Sequence, residues 1–348
     1  MDWQSGVTGD ATTRLRLSPA RQIEDMLRVE AAFSRALGAV GLVGPDIAQA
    51  AAQQIEVVRL DADRLTREAA VDGMPVPGLV RQLKENLAPD LHPAVHTGLT
   101  SQDVMDTAFT MAAGDCLTEF EAGLTRFQDR LACLQRDVGD QRLMARTRMQ
   151  AALPITLAHR INSWRTPVAG HLEALSPLKT RIVVIQMGGP VGTGEGFGTR
   201  ASPLRAAFAA ELGLAAVSVW HTDRTRIMEL GAWLARVTGS LGKMGHDIAL
   251  MAQQGVDEVA LSSGGRSSAM AHKVNPVAAE VLIALGRDAS AQLGALHLSM
   301  DHEQERSGAA WTLEWLVLPR LIEGAGAAIS RASALLDDLT FPRSGARD

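Results

Sequence analysis

Between Ile227 and Met251 an apolar residue recurs every three or four positions, through Leu230, Leu234, Val237, Leu241, Met244 and Ile248. A stripe of that period over more than three heptads predicts a long helix with one side buried against partner helices. Leu117, Phe120, Leu124, Phe127, Leu131 and Leu134 repeat the spacing. Their helix is expected to run from about Asp103 to about Val138, and it could start as early as the capping-box pattern Thr100-Ser101-Gln102-Asp103. A third helix is expected after Asn275-Pro276, with Asn as cap and Pro at the first helical position, continuing through Val281, Leu285 and Leu293 towards His297. Tyrosine is absent and aromatics are only 4%, which disfavours strands. The expected fold is therefore all-α, built on a long-helix bundle.

A chain of 348 residues with 46% hydrophobic content can bury a large core. Turn signals at 74–78, 188–198 and 261–265 separate the helices. The expected organisation is a small N-terminal helical domain at 1–95, a central bundle at 96–335 and a short tail at 336–348. Net charge is -5, with 34 basic against 39 acidic residues and no block of either sign. Neither nucleic acid nor a membrane is expected as a partner. The first residues lack the apolar stretch of a signal peptide, so a cytoplasmic location is expected. Cys116 and Cys133 lie in expected helix without metal-ligand spacing and are read as buried free thiols. No metal and no cofactor are expected. The glycines at 188–194 lack the Gly-Lys-Ser/Thr of a phosphate loop and read as a tight connection between helices.

Three polar segments interrupt this apolar sequence. The first, His96-Thr97-Gly98-Leu99-Thr100-Ser101-Gln102-Asp103, gathers an imidazole, hydroxyls and an amide at a helix N-terminus, which attracts anions. Simple capping by Thr100 and Asp103 is the plainer alternative. The second, from Arg146 through Arg148 and Gln150 to Pro154, offers guanidinium groups suited to planar carboxylates, although a solvated helix face is the commoner fate of such residues. The third runs from Ser262 through Gly264, Gly265, Ser267 and Ser268 to Lys273 and Asn275. Its Ser/Gly stretch can move, and Lys273 and Asn275 stand where an anion would meet the next helix; a plain linker is the alternative.

Thr100-Ser101-Gln102-Asp103 with Asp106-Thr107, and Ser267-Ser268-x-Met270-x-His272-Lys273-x-Asn275-Pro276, resemble two shared regions of the fumarase/aspartase superfamily. Arg146-Thr147-x-x-Gln150, Trp220-His221-Thr222-x-Arg224 and Glu303-x-Glu305-Arg306, followed by Trp311 and Glu314-Trp315, resemble its 3-carboxy-cis,cis-muconate cycloisomerase branch. The likeness spans roughly residues 20 to 335. It departs at Arg266, where Gly is usual, at Ala271, where Pro is usual, and at His302-Glu303-Gln304-Glu305-Arg306, usually Gln-Glu-His-Glu-Arg. Arg148 stands where many superfamily members, but not this branch, carry a catalytic histidine. The chain stops at Asp348, so the resemblance implies a C-terminal domain that is shortened or absent.

The resemblance implies a lactonising isomerase of aromatic-compound catabolism in the beta-ketoadipate pathway, acting on a di- or tricarboxylate. It implies Ser267 or Ser268 as base, with His96 assisting proton transfer. Thr100, Ser101, Gln102, Arg146, Arg148, Gln150, Lys273 and Asn275 would bind substrate. It also implies a homotetramer whose active sites are shared between subunits, and a 262–270 loop that orders over bound substrate. Two alternatives stay open: an adenylosuccinate lyase or other succinyl-adduct lyase, and a catalytically inactive helical oligomer.

Overall fold

The structure, a computed structural model, describes residues 3–262, 264–266, 270 and 273–342. In chain order the helices are α1 (Trp3–Thr8), α2 (Ala11–Arg16), α3 (Pro19–Ala39), α4 (Pro45–Val57), α5 (Ala62–Asp72), α6 (Val76–Asn86) and α7 (Ser101–Val138), then α8 (Leu157–Glu173), α9 (Leu175–Ile182), α10 (Ala201–Leu212), α11 (Thr225–Met251), α12 (Val277–Leu298) and α13 (Gly308–Asp338). The strands are short: β1 (Arg142–Thr147) with β2 (Gln150–Thr156), β3 (Ala260–Leu261) with β6 (Leu339–Thr340), and β4 (Gly265–Arg266) with β5 (Val274–Asn275), all antiparallel. No helix among the described residues is long and apolar enough to cross a membrane.

The two apolar stripes account for the bundle. All eight stripe positions of α11 are buried, as are Leu117, Phe120, Leu124, Phe127 and Leu131 of α7. They meet Ile161 and Trp164 of α8, Leu282 of α12 and Leu318, Leu321 and Ile322 of α13 in one core. Each such side chain contributes about 1.5–3 kcal/mol on leaving water. Caps set the boundaries: Ser18 accepts from the Arg21 amide before α3, and Ser307 from the Ala310 amide before α13. α12 begins one residue later than expected, with Pro276 before its first turn and Asn275 in β5.

Helix directions give the bundle two chemically distinct ends. Asp106, near the start of α7, meets Arg224, just before α11; Arg146, beyond the end of α7, meets Glu258, beyond the end of α11. These helices therefore run the same way. α12 runs back along α11, because Gly245 packs against the Ala279 carbonyl and Gly231 against Leu296. α13 follows α7, with Glu314 beside Arg224 and Gly326 beside Phe120. At 1.5 Å per residue, the 38 residues of α7 span about 57 Å and the 27 of α11 about 40 Å.

A second core is built on α3, α4 and α6 and is not confined to residues before 96. It takes in Leu99, Val104, Ala108 and Met111 from α7, and Ile185, Met187, Phe197, Leu204 and Phe208 from further along. Two local expectations need correction. Residues 142–156 form the β1–β2 hairpin rather than helix, so Arg146, Arg148 and Gln150 lie on an exposed ribbon instead of an interior face. Cys116 is buried as expected, but Cys133 is exposed on α7.

Candidate active site

The end of the bundle where α7 begins, here called the head, is organised by buried acids. Asp103, fully buried in the first turn of α7, accepts from the amides of Thr100 (3.0 Å), Gly188 (2.8 Å) and Gly189 (2.9 Å). His221 Nε2 lies 2.8 Å from its other face, so four donors converge on one carboxylate. The glycine connection expected from sequence is thus pinned against the helix start. Gly98 is required just before it: its φ is +84°, and a Cβ there would come 2.5 Å from the Phe197 ring.

One turn deeper, Asp106 accepts two bonds from Arg224, at 2.7 and 3.1 Å, and one from Trp311 Nε1 at 3.1 Å. Arg224 also donates to both oxygens of Glu314, at 2.8 and 2.5 Å, and lies over the Trp220 ring. Burial opposes the Arg224 charge, but the two carboxylates outweigh it and raise its pKa above the ordinary arginine value. His302 Nε2 stands 3.4 Å from Glu314. A buried arginine between two acids fixes α7, α11 and α13 relative to one another with bidentate geometry.

Of the site residues expected from sequence, His96, Thr100, Ser101 and Gln102 lie at the head. Gln102 is fully buried, and its amide nitrogen is taken up by Asp106 and the His221 carbonyl, which leaves no donor for a substrate. Thr100 remains at the surface of the cluster, where Arg306 donates to its hydroxyl and to the Pro190 carbonyl. A guanidinium, two hydroxyls, an imidazole and the first amides of a long helix form an anion-receiving corner.

Arg146, Arg148, Gln150, Lys273 and Asn275 lie at the opposite end, the tail. Arg146 is paired with Glu258 at 2.6 Å, and Arg148 and Gln150 are exposed around the hairpin turn. Lys273 is exposed, and Asn275 pairs with Gly265 in the β4–β5 ladder. Ser267, Ser268 and the expected closing of their loop lie outside the described residues. Within one chain, then, the expected site residues fall into two groups separated by the length of α11.

Sequence reasoning passed over Glu30, His221, Arg224, Arg306 and Glu314 as site residues. His221, Arg224, Arg306 and Glu314 were visible only as branch-like motif positions. Their roles depend on partners between 85 and 208 positions away, which no local spacing reveals.

Comparison with known proteins agrees with this geometry. Residues 7–289 match the Lyase family. The chain is 34% identical to the 3-carboxy-cis,cis-muconate cycloisomerase of Pseudomonas aeruginosa over 336 residues, covering 94% of this chain and 73% of that one. It is 33% identical to the enzyme of the same name from Acinetobacter baylyi, covering 89% and 71%. The crystal structure of 3-carboxy-cis,cis-muconate lactonizing enzyme from Pseudomonas putida superposes with a TM-score of 0.90 at 32% identity, covering 97% and 77%. Long parallel helices, an acid-pinned helix start and this agreement along nearly the whole chain place the protein in the Lyase family of the fumarase/aspartase superfamily, close to the 3-carboxy-cis,cis-muconate cycloisomerases.

Proposed function

We propose that the protein is a 3-carboxy-cis,cis-muconate cycloisomerase, interconverting that substrate and 4-carboxymuconolactone in protocatechuate degradation in the cytoplasm. The observation that carries this reading is the relation to the Pseudomonas aeruginosa enzyme over 94% of the chain. In the lactonising direction a substrate carboxylate oxygen adds to a diene carbon, and a proton is delivered to the carbon beside another carboxylate. In the opposite direction that proton is removed and the ring C–O bond breaks. The intermediate between them is an aci-carboxylate carrying extra negative charge, which preorganised donors stabilise far better than water does.

The proposed division of work follows the two ends of the bundle. His96, Thr100 and Ser101 at the head receive carboxylates, with Arg306 holding the Thr100 hydroxyl. From the tail, Lys273, Asn275, Arg146, Arg148 and Gln150 bind the charge that develops, and Ser267 or Ser268 serves as base. A hydroxyl is a poor base in water, so this role requires a closed, dry site. One chain cannot bring its own head and tail to a substrate several ångströms long. Antiparallel association in a homotetramer can, by setting the head of one subunit beside the tail of another.

Ring closure shortens the conjugated diene, so ultraviolet absorbance falls as 3-carboxy-cis,cis-muconate is consumed. The test is to incubate purified protein, without added metal or cofactor, with that substrate, adenylosuccinate, argininosuccinate and fumarate in parallel. Loss of absorbance with the muconate supports the proposal. No loss there, with turnover of adenylosuccinate, moves the assignment to a succinyl-adduct lyase.

A further inference from the structure

Glu30 sits in the middle of α3 with no exposed side-chain surface. A carboxylate in that position is costly unless a cation or donors compensate it. Its Oε1 lies 2.6 Å from Nδ1 of His96, while its Oε2 has no hydrogen-bond partner among the described residues. Ser34, one turn further along α3, donates to the Ala94 carbonyl at 2.7 Å and ties the helix to the segment that carries His96. His96 itself has φ +57°, in the left-handed region that non-glycine residues seldom occupy. Such a backbone persists where its surroundings dictate it. The ring keeps 18% of its side-chain surface exposed, and Nε2 bonds to none of the described residues.

We propose that Glu30 is a positioning residue for the reaction. By accepting from His96 Nδ1, it turns the ring so that a charged imidazolium presents Nε2–H to a substrate carboxylate at the Thr100–Ser101 corner. The inference rests on reading that corner as a carboxylate site. The groups acting on the ring come from three helices: Glu30 from α3, Asp103 from α7 and Lys84 from α6. Burial disfavours the charged ring and Lys84 opposes it too, yet the charge and hydrogen bond of Glu30, with Asp103, hold the His96 pKa above its ordinary 6.5. A raised histidine pKa means that the charged form is complete at low pH and is lost as pH rises through the raised value. Without Glu30 that loss moves to lower pH.

The experiment is an NMR titration of the full chain labelled with 13C-histidine, the His96 signal being assigned with His96→Asn. The wild-type midpoint is expected above 6.5, and Glu30→Gln should lower it by about one unit or more. In kinetics at pH 8, with whichever carboxylate substrate the protein turns over, Glu30→Gln should raise KM about tenfold and leave kcat within about twofold, as expected when a binding contact common to ground and transition states is lost. The alkaline decline of kcat/KM should move down by the interval seen in the titration. A wild-type midpoint at or below 6.5 overturns the proposal, and so does a Glu30→Gln variant that leaves both midpoint and pH profile unchanged. The wild-type titration decides even if Glu30→Gln does not fold. It also needs no substrate, so failure of the muconate assay and failure of this pairing are separate results.

Discussion

If head and tail of different subunits meet at each site, two inactive variants should repair one another. His96→Asn disables the head with little structural cost, because Asn tolerates the positive φ that His96 adopts. Lys273→Met disables the tail at an exposed position. Loss of one preorganised charged donor costs on the order of 100-fold in rate, so each variant alone should retain about 1% of wild-type activity. After the two are unfolded together in equal amounts and refolded, each site draws its head and its tail independently. A site is intact when its head comes from the Lys273→Met chain and its tail from the His96→Asn chain, a chance of about one half times one half. Activity should therefore rise to about a quarter of wild type, roughly 25 times the unmixed baseline. Differential isotope labelling with native mass spectrometry verifies mixing, and initial rates report recovery. Activity that stays at the baseline in verified mixed oligomers refutes the shared site, as does a wild-type protein that is active while sedimenting as a monomer.

Two further outcomes follow from buried groups. Arg224→Met leaves Asp106 and Glu314 facing each other without their shared cation, which should cost about 3–5 kcal/mol; a thermal or urea midpoint unchanged at equal protein concentration would contradict the central role given to that arginine. Burial pushes the Cys116 thiol up to about 12, so it stays neutral through pH 8 while exposed Cys133 ionises; a thiol-reactive chromophore should titrate one cysteine per native chain and two after denaturation, and two fast native thiols would be the wrong result.

The bundle was legible because its signal is local and periodic. Every apolar stripe residue from Ile227 to Met251 points into one core, and α7 runs to Val138 as its spacing required. The β1–β2 hairpin was not legible, for a specific reason. Its two-residue turn places Arg148 at φ +50° and Met149 at φ +67°, where primed hairpin turns ordinarily carry Asn or Gly. Lacking that signature, Arg146 to Pro154 reads as a continuation of helical sequence. The second core also escaped the division at residue 95, because Ile185 and Phe208 join it from about a hundred positions away.

The candidate site divides along the same line between local and distant information. Thr100 and Ser101 could be named because a helix start binds anions by its own geometry. Gln102 could be named by neighbourhood alone, yet its side chain turns inward to Asp106, so adjacency to a site does not make a residue available to substrate. The acids at the head follow the opposite logic. Asp103 and Asp106 look like ordinary first-turn acids that complement the helix dipole, but each is saturated by donors from other segments. Their work is to make the corner rigid: Thr100, Gly188, Gly189 and His221 cannot move independently once they share one carboxylate. Electrostatic stabilisation of a developing carboxylate charge is effective only when the donors need not reorganise. A head fixed by buried acids therefore suits the binding of carboxylates that persist through the reaction. The exposed strands of the tail suit groups that come from outside and close over it, and this is why the proposed site calls for a second subunit.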